Sequence, residues 1–497
     1  MLLIPERQSF DANPRRVLPD VGDLDRRRAS VPADESIVNA DQRCIFGQVI
    51  MKNIKLIVTT AVSLFLFLCL ASAVFAQDQT TTYSGDFWSR LTLTGDWGGV
   101  RNDLSKKGVT INLDLTQIGQ GDIKGGKEIG WGYGGRGDLT INLDTQKLGW
   151  WPGGFFNAEV EGNFGKGVNL KTGTLTPVNT NQLFPTAGSD QLNISAVNFT
   201  QFLSRYVGVS VGKFATVTSD SGDMNEFAHG KGDTQFFNLA FNFNPVFCLG
   251  FPYSTLAGAV IILPTTDPKE AIIAIMAYDG DGTAKSSGFD TVFKGNTGYV
   301  IEGRVRTNFF GLTGHQLVGA TYSTKNFTSL DQSLRIDIEN GAIQKEDNTW
   351  AFYYNFDQYL YEPKKGSGQG WGLFGRFGAS DGNPNPVHYF YSIGVGGKGV
   401  IPGRPMDSFG TGYYYMSVSQ PMFTGLLATR ELLGDEQGFE AYYNFALTPW
   451  MKLTPDIQVI NPAQQNALSI LSIVPPVISR TGISTATVIG LRLQVIF

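Results

Sequence analysis

Val488-Ile489-Gly490-Leu491-Arg492-Leu493-Gln494-Val495-Ile496-Phe497 alternates in character up to a terminal aromatic. Counting back from Phe497, one face carries Val495, Leu493, Leu491 and Ile489; the other carries Ile496, Gln494, Arg492, Gly490 and Val488. A period of two fits a strand with one apolar and one mixed face. The last residues of a soluble chain usually fray in water. An aromatic end without a polar tail instead suits the closing strand of an outer-membrane barrel, with lipid outside and water inside. Phe497 is then the expected point of recognition by the barrel-assembly machinery.

The same alternation recurs upstream. Ile111, Leu113 and Leu115 interleave with Asn112 and Asp114; Leu139, Ile141 and Leu143 with Thr140, Asn142 and Asp144. Phe156, Ala158, Val160, Gly162 and Phe164 oppose Asn157, Glu159, Glu161 and Asn163. Phe237, Leu239, Phe241 and Phe243 oppose Asn238, Asn242 and Asn244, and Tyr299, Ile301, Val305 and Phe309 oppose Glu302, Arg304, Arg306 and Asn308. Sixty glycines, 35 Phe and 18 Tyr fit an all-β chain rich in turns. The count of segments and the even-number rule for bacterial barrels predict a transmembrane antiparallel β-barrel of sixteen strands. A soluble sandwich would bury the apolar faces. Two observations invert that assignment: Tyr and Trp cap the apolar faces as in an aromatic girdle, and Glu, Arg and Asn share the polar faces as in a water-filled lumen.

Residues 51–76 read as a secretory signal peptide. Lys52 and Lys55 open it, Leu56 to Leu70 is the apolar run, and cleavage is expected after Ala76. Residues 1–50, polar and Arg-rich, read as a mis-called upstream extension with Met51 as the start. Removing the nine Lys/Arg and eight Asp/Glu of residues 1–76 leaves 30 against 36, a net charge of −6. That leaves no basic surface for nucleic acid. Cys248 alone remains in the mature chain, so no intramolecular disulfide can form. Residues 77–108 form an N-terminal periplasmic or pore-mouth segment, with a short helix around Val100 and Leu104 stopped by Gly108. Residues 109–497 form the barrel. Lys166–Gln191 and Ser380–Val387 read as loops, one of them folding into the pore and narrowing it.

Several blocks, in order, resemble the carbohydrate-selective porins of the OprB family. They are Leu93-Thr-Gly-Asp-Trp-Gly-Gly-Val-Arg101, Trp150-Trp-Pro-Gly-Gly154 with Glu159 and Glu161, Gln369 to Arg376, Ser380 to Pro386, Ile401-Pro-Gly-Arg404 with Asp407, Glu440 to Phe445 with Leu447 to Trp450, and Leu453 to Ile460. The resemblance implies passive, sugar-preferring diffusion across the outer membrane through a barrel with a narrowed eyelet, with mono- or oligosaccharides as solutes.

A pore selects by diameter and by the groups that line it. Carboxylates accept hydrogen bonds from sugar hydroxyls, and guanidinium groups donate in pairs. The inward candidates are Glu159, Glu161, Glu302, Arg304, Arg306, Arg376, Asp381, Arg404, Asp407, Glu440 and Asp456. The competing reading is that such charges pair and brace the wall. By strict counting Lys213 falls on the apolar face with Val207, Val209 and Val211, a misfit that a bulge there would resolve. Gly208-Val-Ser-Val-Gly212 matches a hydrolase nucleophile elbow but lacks the following helix. The glycine-rich runs at Gly130–Gly135 and Gly394–Gly399 open no helix and read as turns. His229, His315 and His388 lack metal-ligand spacing. No metal or cofactor is expected. The alternatives to a porin are an outer-membrane or secreted β-barrel hydrolase acting on glycans or lipids, in which Glu159 and Glu161 could be an acid/base pair, and a sealed structural barrel. A homo-oligomer stays open, because the lipid face looks alike in monomers and trimers.

Overall fold

The computed structural model describes residues 83–497, except 189, 218–224, 293, 333–342, 424–431 and 474–475. The upstream extension, the signal peptide and the first residues of the 77–108 segment lie outside the described residues.

Sixteen antiparallel strands close into one barrel. They are β1 Val109–Gly126, β2 Gly130–Asp144, β3 Gly154–Lys166, β4 Leu192–Phe202, β5 Val207–Ala215, β6 Ser254–Ile262, β7 Ala271–Asp279, β8 Thr297–Thr307, β9 Gly314–Ser323, β10 Thr349–Tyr361, β11 Gly370–Ser380, β12 Val387–Lys398, β13 Ser408–Val418, β14 Glu436–Thr448, β15 Met451–Asn461 and β16 Ser484–Ile496. Each pairs with its neighbour in sequence, and β16 pairs back onto β1, Leu115 facing Val495 and Ile118 facing Arg492. Closure removes the sheet edges whose unpaired backbone groups hydrocarbon could not satisfy. Connections at one end are short turns; those at the other include the long segments 167–191, 216–253 and 324–348. Among the described residues, no helix is long and apolar enough to cross a membrane.

The expected inversion of faces holds on the last strand. Leu491 is 50% exposed, whereas Arg492 beside it is 0% exposed and Gln494 is 4% exposed. The polar face therefore points into the barrel. An aromatic row crosses the outer surface of β8, β9 and β10, where Tyr299, Tyr322 and Trp350 stand side by side in register and exposed. Such a row is one interfacial girdle of a membrane barrel.

Two sequence expectations are corrected. Phe237–Asn244 is not a wall strand: it contains a single helical turn, Leu239–Asn242, inside the barrel. The Asn238 side chain accepts from the Ala240 N–H and that of Asn244 from the Val246 N–H, as turn-capping asparagines do. Its phenylalanines and its asparagines are both buried, so alternation there reports cover on two sides rather than one apolar face. Lys213 sits at no bulge. The pairing of β5 with β6 runs through it unbroken, that with β4 ends at Lys213 opposite Val197 without a register shift, and the Ala284 and Ser286 carbonyls accept from its ammonium at 3.2 and 2.5 Å. A loop cap, not a register shift, shelters that charge.

The helix expected before the barrel, α1, spans Val100–Lys106. Gly108 ends it at φ 84°, where a Cβ would stand 2.7 Å from the Lys147 side chain. Arg101 of α1 is nearly fully buried. It donates to the backbone oxygens of Phe497 at 2.8 Å and Ile111 at 2.7 Å, and to Thr92 Oγ1 at 2.9 Å, with its guanidinium 4.1 Å from the Tyr83 ring centre. It thus ties the N-terminal segment to the seam where β1 meets the last residue. Arg101→Leu leaves these acceptors without a donor, at about 1–3 kcal/mol for each buried one. We expect the variant barrel to unfold at a temperature several degrees lower, read by the heat-dependent mobility shift on gels; an unchanged transition would show that the seam does not need this tie.

Candidate pore constriction

Residues 225–253 of the connection between β5 and β6 fold back into the barrel, and several wall strands hold them. From β11, Arg376 donates to the carbonyls of Phe241 (3.0 Å) and Ala228. From β16, Arg492 donates to those of Gly232 (3.0 Å) and Gln235 (2.9 Å), with its guanidinium 4.4 Å from the Phe237 ring centre. From β14, the Glu440 carboxylate accepts from the Phe237 N–H at 2.6 Å and the Asn238 N–H at 3.0 Å. Asn444 donates to the Thr234 carbonyl at 2.8 Å. Hydrogen bonds to charged groups contribute about 1.5–3 kcal/mol each. They also satisfy loop N–H and C=O groups that would otherwise be buried without partners.

Aromatic packing seats the same loop. Phe236 and Phe241 are fully buried against Phe374, Tyr414 and Tyr442 of β11, β13 and β14, with ring centres 4.8–6.2 Å apart. The wall makes room with glycine. A side chain at Gly412 would meet the Phe241 ring at 2.6 Å, and one at Gly396 would meet Phe227 at 2.6 Å. The second long loop, 167–191, braces the first. Thr180 N–H donates to the Phe237 carbonyl at 2.8 Å, and the Glu436 carboxylate of β14 accepts from the N–H groups of Leu175 (2.6 Å) and Thr176 (3.2 Å).

Opposite this apolar seat lies a charged cluster. Lys231, from the loop, donates to Glu159 at 2.7 Å and Glu161 at 2.6 Å, both on β3. Arg136 of β2 donates to Asp138 at 2.9 Å and reaches Asp233 of the loop at 3.4 Å. The Tyr253 hydroxyl donates to Glu161 at 2.5 Å. Burial opposes the charge on Lys231, but the Glu161 carboxylate, Tyr253 and Glu159 outweigh it and hold the ammonium protonated well above the usual lysine range. Burial likewise opposes the Asp233 charge, and Arg136 and Lys231 overcome it and keep its carboxyl below the usual range. Oxygens of Asp138, Glu159 and Glu161 lie within 4.8 Å of one another, a spacing that could hold a metal ion. The Lys231 ammonium supplies the positive charge there.

The predicted site residues divide by height along the barrel. Glu159, Glu161, Arg376 and Glu440 meet the constricting loop directly. Asp456 sits beside Glu440, its carboxylate accepting from Gln458 at 2.9 Å. Glu302 accepts from the Tyr353 hydroxyl at 2.9 Å on the β8–β10 side. Arg304 and Arg306 turn to the short-turn end, donating to the Pro268 carbonyl at 2.5 Å and to Glu270 at 2.7 Å. Arg404 and Asp407 pair within one short turn at 2.8 Å. Asp381 lies at the long-loop end, accepting from the Trp350 N–H at 3.1 Å. Ser210 stands mid-strand on β5, 2.7 Å from the Thr200 hydroxyl, so the elbow-like motif is wall.

The family model described as "Carbohydrate-selective porin, OprB family" matches residues 130–497. The chain belongs to that family. It is an outer-membrane porin for carbohydrate-selective passive diffusion. Two structures of OprB from Pseudomonas putida have the same fold. The high-pH form has a TM-score of 0.67 at 21% identity, covering 83% of this chain and all of that one; the low-pH form has 0.50 at 18%, covering 82% and 99%. A curated protein of Acinetobacter baylyi named "Putative porin QuiX" is 23% identical over 447 residues, 80% of this chain and 94% of that protein.

Sequence reasoning missed Arg136, Arg492, Lys231 and Asp233 of this porin. Arg492 was visible on the inward face of the last strand. The other signal was the run Gly230-Lys231-Gly232-Asp233, glycines flanking paired charges, ahead of the asparagine caps. Glu440→Leu orphans two loop N–H groups, at about 1–3 kcal/mol each, whereas Glu440→Gln keeps one acceptor. We expect proteolysis within 225–247 to accelerate strongly in the first variant and weakly in the second; equal resistance in both would mean that Glu440 does not hold the loop.

Proposed function

We propose that this porin favours neutral sugars because the charges at its constriction partly cancel one another locally. Lys231 meets Glu159 and Glu161, and Arg136 meets Asp138 and Asp233, so the two cations offset half of the charge of the four carboxylates in the narrow passage. A single ion then meets a weakened field there, while a neutral polyol can exchange hydrogen bonds with groups along the wall. The observation that carries this reading is one ammonium bound by two carboxylates on the face opposite the apolar loop seat. Of the predicted site residues, Glu159, Glu161, Arg376 and Glu440 act first by setting the position of the loop, and hence the width of the passage. Arg304, Arg306, Arg404 and Asp407 act as braces of the periplasmic rim. Asp381 braces the extracellular rim, and Glu302 and Asp456 complete the polar lining. The chain carries out no chemical step; the barrel sits in the bacterial outer membrane, delivered there by the assembly machinery through the strand ending at Phe497.

The Lys231 tie should persist across the neutral range. Its folded pKa is raised, so its contribution is fully present below the ordinary lysine value and is lost only as pH rises through the folded one. Lys231→Met uncovers two carboxylates. We expect its reversal potential in a salt gradient to move toward cation selectivity, and glucose entry into liposomes to lose its advantage over amino acids of similar size. An unshifted reversal potential would remove local charge cancellation as the basis of selectivity.

A further inference from the structure

We propose a second sugar subsite on the periplasmic side of the constriction, formed by the side chains of Asn142, Asn157 and Asn198 with the ring of Phe155. The proposal rests on the carbohydrate-porin reading and adds to it a place where the solute pauses on its way out.

The registers of β1 to β4 stack the inward residues in rows. One row holds Asp114, Asp138, Glu161 and Asn193; the next toward the periplasm holds Asn112, Thr140 and Glu159. One step further, Thr110, Asn142, Asn157 and Asn198 stand directly beside one another. Charge gives way to amides over two residues of travel. Asn157 Nδ2 donates to Asn142 Oδ1 at 2.9 Å, and Asn198 Nδ2 donates to Asn157 Oδ1 at 3.4 Å. Each amide offers two donors and an acceptor with two lone pairs. The chain of amides uses part of that capacity, leaving the Asn142 amino group at one end and the Asn198 carbonyl at the other for a solute.

The following row places an aromatic at that spot. Phe155 lies on the same face of β3 as Asn157 and Glu159, opposite Asp144 on β2 and Thr200 on β4. It is 42% exposed, although it stands on the inward face. Its edge-on contact with Phe202, at 6.1 Å between ring centres, leaves ring surface open. Phe155 and the three asparagines line one recess of about 190 Å³ beneath the C-terminal end of α1. At about 30 Å³ per liquid water, that is room for about six waters, the scale of one sugar ring.

A flat apolar ring beside a row of uncharged donors and acceptors matches a pyranose, which has an apolar C–H face and a rim of hydroxyls. The amide row carries no charge, and the Asp144 and Lys147 side chains that also line the recess pair with each other at 3.9 Å, so an anionic sugar gains little over a neutral one. Flow needs binding weak enough to release and spread over more than one site. A recess of amides, with one charge of each sign paired at its edge, meets that need just past the constriction.

The test uses the mature protein in planar bilayers, with glucose added to one side at a time and block of the ion current titrated. Phe155→Ala and Asn157→Ala are compared with wild type and with Phe164→Ala, which removes a ring from the lipid face of the same strand. Phe155→Leu, which keeps bulk without a ring, stands in if the alanine variant fails to insert. We expect the half-saturating glucose concentration from the periplasmic side to rise about three- to tenfold in the first two variants, the span of one lost aromatic contact or hydrogen bond. From the extracellular side it should move less than twofold, and Phe164→Ala should match wild type. If wild type binds glucose but both subsite variants stay within twofold of it on the periplasmic side, the subsite is refuted and the porin reading stands. An equal rise in Phe164→Ala would trace the effect to the wall and also refute the subsite. Absence of glucose block in wild type from either side would overturn the sugar-porin reading, and the subsite with it.

Discussion

Hydrocarbon accepts no unpaired backbone group, and the whole molecule answers to that constraint. The sheet has to close, so β1 meets β16 and no edge is left. Closing sixteen strands encloses a space too wide for side chains alone to fill, as the diameter of a barrel grows with strand number. Something must then enter the lumen if the passage is to discriminate among small solutes. Here that filling comes from two loops rather than from larger wall residues.

Filling a wet lumen with a loop raises its own difficulty. A folded-back chain carries N–H and C=O groups into a place where water is scarce, and each needs a partner. The wall supplies them from charged side chains: Arg376 and Arg492 to carbonyls, Glu440 and Glu436 to N–H groups. Many charges that a lumen would be expected to offer to solutes are thus committed to the loop. The same division explains why one inner face is apolar. Phe374, Tyr414 and Tyr442 point inward and are dry because the loop covers them.

The wall was legible because lipid imposes a strict two-residue period on every strand it touches. β3, β8 and β16 could be read residue by residue, and Leu491 against Arg492 keeps the assigned faces. The short helix and its stop at Gly108 were equally readable from local signals. The loop was not, because alternation signals a strand only when one side is apolar and the other wet. Phe237–Asn244 is buried on both sides, and its regular Phe and Asn spacing comes from packing rings outward while asparagines cap turns. Which charges meet was also beyond reach. Lys231 and Glu161 lie 70 residues apart, and only the fold-back of residues 225–253 brings them together. Lys213 failed for a related reason: its partners are carbonyls of a distant loop, and carbonyls leave no mark in a sequence.

The glycines at positions 396 and 412 make the wall a negative impression of the rings that rest on it. Lumen geometry is therefore inherited as a matched set, and neither half can drift alone. Moving 216–253 into a relative would carry the phenylalanines without their footprint, and a wall bearing alanine or valine at those places would push the graft toward the pore axis. Exchange of solute preference between such channels thus calls for trading strands together with the chain they cradle.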